Sequence, residues 1–178
     1  MILVNRNWYV LQVRRRAEVL VAAILGARGY EVFLPCLNTS RSRGGKQDER
    51  PPLFPGYVFC RYSDEARENM VGVHGVVRIV SFNNRPEPVN EAELDSVRIL
   101  CRSGALVRRW QFIREGQPIR ITSGPLAGVE GVFVSVSSAE FVVVNITMLQ
   151  RAVLVKVPGN SIVLARDVSV PRPRLTAR

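Results

Sequence analysis

Helical and strand-like spacings of apolar residues take turns up to Ser103, whereas beyond Glu115 only strand-like spacing remains. That switch constrains the fold more than any single motif, because a segment patterned at period two cannot bury one apolar side as a helix. Trp8 to Val13 is rich in aromatic and β-branched residues and predicts a strand, closed by Arg14-Arg15-Arg16. Ala17, Leu20, Val21, Ile24 and Leu25 then share one helical face, with Gly29 as a left-handed stop. Tyr30 to Leu34 predicts a strand limited by Pro35, and Pro55-Gly56 is a turn within the next one, Phe54 to Phe59. A short helix from Asp64 to Val71, a strand from Gly75 to Phe82 and a turn-rich connection over Asn83 to Pro88 follow. Asn90 and Glu93 form a capping-box-like start for a last helix, striped by Leu94, Val97 and Cys101. Interleaving of this kind predicts an α/β or α+β sandwich over residues 7–103.

Residues 104–114, around Arg108-Arg109-Trp110, read as a linker. Past it, short strands are predicted over Pro118–Thr122, Glu130–Ser137, Phe141–Ile146, Ala152–Val157 and Ile162–Leu164, so residues 115–168 are expected to form a small barrel. Gly124, Gly128 and Gly131 would supply its tight bends and close strand approaches. Residues 169–178, which include Pro171-Arg172-Pro173-Arg174, are expected to be a disordered basic tail.

The formal net charge of +10 points to an anionic partner, nucleic acid first. All basic residues but Lys46 and Lys156 are arginine, which suits phosphate and base contacts, although a GC-rich genome yields the same bias. Arg14, Arg15 and Arg16, and Arg41, Arg43 and Lys46 in the polar loop from Asn38 to Arg50, are the candidate contacts. Cys36, Cys60 and Cys101 are scattered and predict reduced thiols, hence a cytoplasmic protein. No apolar run approaches the ~20 residues that span a bilayer, so no membrane role is expected.

Chemistry is sparse. His74 is the one histidine, which rules out a multi-histidine metal site, and it stands beside Gly75 at a strand entrance where a turn role is expected. Neither a Walker loop, nor G-x-G-x-x-G, nor G-x-S-x-G occurs. Asp48-Glu49 alone is too weak a pair to hold a metal. No catalytic residue, metal or cofactor is therefore expected, and the chain is read as a binding protein, not an enzyme. Aromatic rings beside the Pro55-Gly56 turn suggest an apolar docking patch.

Trp8-Tyr9-Val10-Leu11, Leu53-Phe54-Pro55-Gly56-Tyr57-Val58-Phe59 and Gly75-Val76-Val77-Arg78, in that order, resemble the NusG amino-terminal (NGN) domain. The run from Ile119 to Gly131, with Gly124, Pro125, Gly128 and Gly131, looks like the KOW motif that follows it in that family. The resemblance implies an antiparallel sheet flanked by helices, then an SH3-like barrel, in a non-enzymatic transcription elongation factor. It implies docking on the clamp helices of the largest RNA polymerase subunit through Tyr9, Phe54, Pro55, Gly56 and Tyr57. Arg14, Arg15 and Arg16 would then meet upstream non-template DNA. Within the barrel, Met148, Leu149, Gln150 and Arg151 occupy the partner loop. General NusG proteins carry Phe-Gly where Leu149-Gln150 stand, and this spelling resembles UpxY-type antiterminators dedicated to one operon. It disfavours Rho as a partner and leaves nascent RNA or a ribosomal protein. The protein is expected to be a monomer. The β-branched run Phe141 to Val144 predicts a stable barrel in place of a helical second domain. An alternative is a KOW-type RNA-binding or ribosome-associated structural protein.

Overall fold

In the computed structural model, which describes residues 6–37, 50–111, 116–136, 139–157 and 162–164, the chain forms two compact units, residues 1–91 and 92–178. The first is built on β1 (Asn7–Val13), β2 (Glu31–Phe33), β3 (Tyr57–Tyr62) and β4 (Val76–Ile79), in the order β2-β3-β1-β4 with antiparallel neighbours throughout. Successive side chains of a strand point to opposite faces. Tyr9, Leu11 and Val13 of β1 and Val58, Cys60 and Tyr62 of β3 accordingly share one buried cluster. Val21 and Leu25 of α1 (Glu18–Ala27) and Met70 of α2 (Arg67–Val71) cover that cluster. On the other face Trp8, Val10 and Phe59 are buried as well.

Leu20, expected on the buried face of α1, is 52% exposed, while Glu18 is buried. The helix is apolar at nearly every position from Val19 to Leu25, so its spacing could not say which side meets the sheet. Gly29 does end the helix in the left-handed region, at φ +82°. The strand expected through Phe82 divides after Ile79. β5 (Ser81–Phe82) and β6 (Arg85–Pro86) form a separate ribbon joined by Asn83 and Asn84. Both asparagines have positive φ, as a two-residue turn of the I′ kind requires.

The second unit holds most of α3 (Glu91–Arg102) and six strands: β7 (Val107–Gln111), β8 (Gln117–Ile121), β9 (Glu130–Val136), β10 (Ala139–Ile146), β11 (Arg151–Lys156) and β12 (Ile162–Leu164). They form one antiparallel sheet in the order β12-β8-β9-β10-β11-β7. β7 corrects the expected linker, since Val107 to Gln111 pair with Arg151 to Val155. Its exposed Arg108 and Arg109 hid the strand pattern, and charge of that kind suits a strand at the edge of a sheet. From Ala92 onward α3, expected with the first domain, groups by contacts with this sheet. Leu94, Ser96, Val97 and Leu100 are its buried residues.

Arg41, Arg43 and Lys46, the remainder of the predicted linker at 112–115 and the basic tail at 169–178 lie outside the described residues. No helix among the described residues is long and apolar enough to cross a membrane.

Candidate functional site

The end of the first sheet where β1 leaves and β3 enters gathers several of the sequence features. Gly56, at φ +84°, turns the chain into β3. Its carbonyl accepts a hydrogen bond from Val13 N at 2.8 Å, and Arg14 N donates to Gly75 O at 2.9 Å. The Pro55-Gly56 corner, the arginine run and the start of the Gly75-Val76-Val77-Arg78 strand are therefore tied together by backbone hydrogen bonds. Arg14, Arg15 and Arg16 are all exposed there. Ala17 N closes the run back on Arg14 O at 3.0 Å, and Arg16 takes a left-handed φ of +67° to allow it.

Sequence reasoning missed Glu18. Its carboxylate, 5% exposed, accepts a hydrogen bond from Gly56 N at 2.7 Å and ties the first turn of α1 to the corner. A charged acceptor for a buried backbone donor is a strong anchor, because that donor would otherwise be stranded away from water. A glutamate in an otherwise apolar helix, immediately after a basic run, was the one available signal.

The aromatic residues divide. Phe54 is 2% exposed and Tyr9 3%, so neither presents a ring to solvent, which corrects their expected place in an exposed docking patch. Phe54 packs edge-on against Phe59, centroids 6.1 Å apart, and Phe33 lies beyond it. Tyr9 lies in the core against Tyr62, 4.5 Å between centroids, and its hydroxyl donates to Asp64 Oδ1 at 2.7 Å. Burial and that hydrogen bond raise the Tyr9 hydroxyl above its ordinary pKa. The physical reason is that rings beside a turn fill the nearest sheet face as readily as they cap it. Pro55 and Tyr57 remain half-buried at the surface of the corner, with the Gly56 backbone buried between them. Other candidate chemistry is quiet: His74 is exposed, and burial pushes the Cys60 thiol up to about 12, away from the reactive thiolate. No group of metal-ligating side chains exists among the described residues.

In the second unit the glycines do backbone work. Gly124 and Gly128 take φ of +77° and +92° in the turn between β8 and β9, and Gly128 N donates to Ile121 O at 2.8 Å. At Gly131 a Cβ would sit 2.5 Å from Val143 O, so β9 and β10 can approach only because none is present. Pro125 is exposed on the same turn.

The loop after β10 is a 3-10 turn over Thr147–Leu149, ended by Gln150 in the left-handed region at φ +49°. Leu149 is buried, Met148 half-buried, and Gln150 and Arg151 are exposed. Across from it, Glu93 of α3 accepts hydrogen bonds from Thr147 N, at 2.9 Å, and Thr147 Oγ1. Ser96 Oγ accepts from Glu130 N at 3.0 Å. Burial raises the Glu93 carboxyl above its usual range, and the two Thr147 donors only partly offset this.

The chain is similar to known proteins. The family model described as transcription termination factor nusG matches residues 6–98. A transcription termination/antitermination protein NusG from Borreliella burgdorferi is 26% identical over 153 residues, covering 74% of this chain and 83% of its own. The protein of the same description from Thermus thermophilus is 28% identical over 152 residues, covering 76% and 81%. Among solved structures, that of Thermotoga maritima NusG, described for its domain interaction, covers 89% of this chain and 96% of its own, at 24% identity and a TM-score of 0.51.

Proposed function

Since the chain belongs to the NusG family of transcription termination factors, we propose that it is a transcription elongation and antitermination factor that binds RNA polymerase and suppresses pausing or termination, in the service of a dedicated operon. One observation carries the reading: the Pro55-Gly56 corner and the three exposed arginines are bonded into one end of a single sheet, within the residues that match the family. An apolar corner beside a run of cations suits a partner that presents protein and nucleic acid together.

In this proposal Pro55 and Tyr57 make the protein contact with the polymerase clamp at the corner that Gly56 turns, and Phe54 and Tyr9 support them from the core. Arg14, Arg15 and Arg16 neutralise phosphates of the upstream non-template strand, which positions the protein without reading bases. The loop Met148-Leu149-Gln150-Arg151 takes the second partner, nascent RNA or a ribosomal protein. Residues 7–103 and 115–168 are the proposed functional domains.

The test is direct. Bound to core RNA polymerase, the protein is expected to shorten pause lifetimes on a defined template. Tyr57→Ala, measured at a temperature where the variant is folded, is expected to weaken that binding tenfold or more, because half-buried Tyr57 leaves part of its ring at the surface. Phe54→Ala is expected instead to destabilise the fold by about 3–5 kcal/mol. Absence of polymerase binding, together with stoichiometric co-sedimentation with ribosomes, would overturn the proposal in favour of a ribosome-associated role.

A further inference from the structure

The β5–β6 ribbon has a composition that the fold does not require. Phe82 leaves 46% of its surface exposed at the end of a two-stranded element outside the main sheet. Directly opposite it, in the same pair, stands exposed Arg85. Between them, exposed Asn83 and Asn84 hold the turn. Positive φ accounts for the asparagines, which tolerate it better than most residues. It does not account for an aromatic ring kept in water beside a guanidinium.

Chemically the four residues form a set. A ring offers a stacking platform for any base, and an arginine beside it supplies a phosphate or cation-π partner. Two carboxamides can hydrogen-bond exposed base edges, and the ring can stack face-on only on a base that is unpaired and turned outward.

Position strengthens the case. The ribbon continues from β4, an edge strand of the first sheet. β4 carries exposed Arg78, whose guanidinium is steadied by Gln12 Oε1 at 2.7 Å, and exposed Val77. At its other end β4 begins beside Gly75, to which Arg14 is bonded. Arg14 bonded at the start of β4, Arg78 on β4 and Arg85 on the ribbon thus follow one another along this stretch, in which β4 itself spans about 10 Å at ~3.3 Å per step. Glu87, just past the ribbon, is the nearest acid in sequence, so the segment itself is positively charged.

We propose that the Phe82-Asn83-Asn84-Arg85 ribbon is a second nucleic-acid contact, which stacks an unpaired base of the DNA strand held by the arginine run. The choice of DNA rests on the reading above that Arg14, Arg15 and Arg16 meet the non-template strand. The ribbon adds a preference for single-stranded over duplex DNA, which phosphate contacts alone do not give.

Binding of the full-length protein to a fluorescent single-stranded oligodeoxynucleotide, the matching duplex and the matching RNA, measured by anisotropy, tests this. Phe82→Ala is expected to weaken single-stranded DNA binding at least tenfold, leave duplex binding unchanged and keep the melting temperature, and Phe82→Trp to restore affinity. Arg85→Gln is expected to lower the salt dependence by about one phosphate contact. Unchanged single-strand affinity in Phe82→Ala, equal loss on duplex, or loss confined to RNA or to core polymerase would overturn the proposal. A variant with Arg14, Arg15 and Arg16 all changed to Gln separates the two readings. If it alone loses DNA, the ribbon inference fails. If only Phe82→Ala loses DNA, the arginine reading fails and the ribbon stands. If the unaltered protein binds no single-stranded DNA, both fail.

Discussion

At the scale of single residues, Glu18 shows how a buried charge can hold the Pro55-Gly56 corner in shape. Its carboxylate meets the Gly56 amide at 2.7 Å, on the opposite side from the Val13 bond to the Gly56 carbonyl. Removing it strands a buried donor, which costs roughly 1–3 kcal/mol. Glu18→Ala is therefore expected to lower the melting temperature by several degrees and, through a loosened corner, to weaken polymerase binding beyond what the lost stability explains. Glu18→Gln keeps an acceptor and is expected to recover most of both. Thermal denaturation alongside a binding titration at a temperature where all variants are folded would check it. Tyr62 makes the opposite point. Its buried hydroxyl has no hydrogen-bond partner among the described residues, and burial drives its pKa upward. Its place in the core is thus held by the ring, which packs on Tyr9.

Elements bring a second kind of effect, seen where α3 meets the strands of the second unit. Glu93 is desolvated there and has a raised pKa, so its protonated form is favoured in the folded state relative to the unfolded chain. The stabilisation linked to this group is fully present below the ordinary glutamate pKa and is lost as pH rises through the raised folded value. Stability of the fold around Glu93 is therefore expected to rise as pH falls through the window just above the normal glutamate range, even though the Thr147 bonds themselves favour the charged carboxylate. Glu93→Gln is expected to remove that pH dependence while keeping an acceptor for the Thr147 hydroxyl. Denaturant unfolding as a function of pH is the measurement, and an unchanged profile in Glu93→Gln would refute it. Because Thr147 opens the loop that carries Met148 to Arg151, the same substitution reports on access to that loop.

For the whole molecule, charge dominates behaviour. A chain of net charge +10 whose exposed arginines neutralise DNA phosphates, as proposed, would release counterions on binding, so its affinity would fall as salt rises. Association with a transcribing polymerase is expected to show that dependence, and exchanging Arg14, Arg15 and Arg16 for Gln to flatten the slope by up to roughly three phosphate contacts. The proposed contacts through Pro55 and Tyr57 would carry no such charge, so Tyr57→Ala is expected to shift affinity without changing the slope. Titrations over a range of potassium chloride concentrations distinguish the two.

Much of the architecture was legible in the residues alone, because local spacing records which side of a strand or helix must be apolar. The period-two runs of the second half gave strands β8 to β12 within a residue or two, and Gly29, Gly124 and Gly128 all take the positive φ that their positions implied. Local spacing does not record what lies across a gap of fifty residues. That Phe54 and Tyr9 point inward, that Glu18 faces Gly56, that Arg108 and Arg109 belong to a strand and that α3 seats on Thr147 all depend on partners distant in the chain. Burial is a property of two surfaces meeting, and one stretch of sequence contains only one of them.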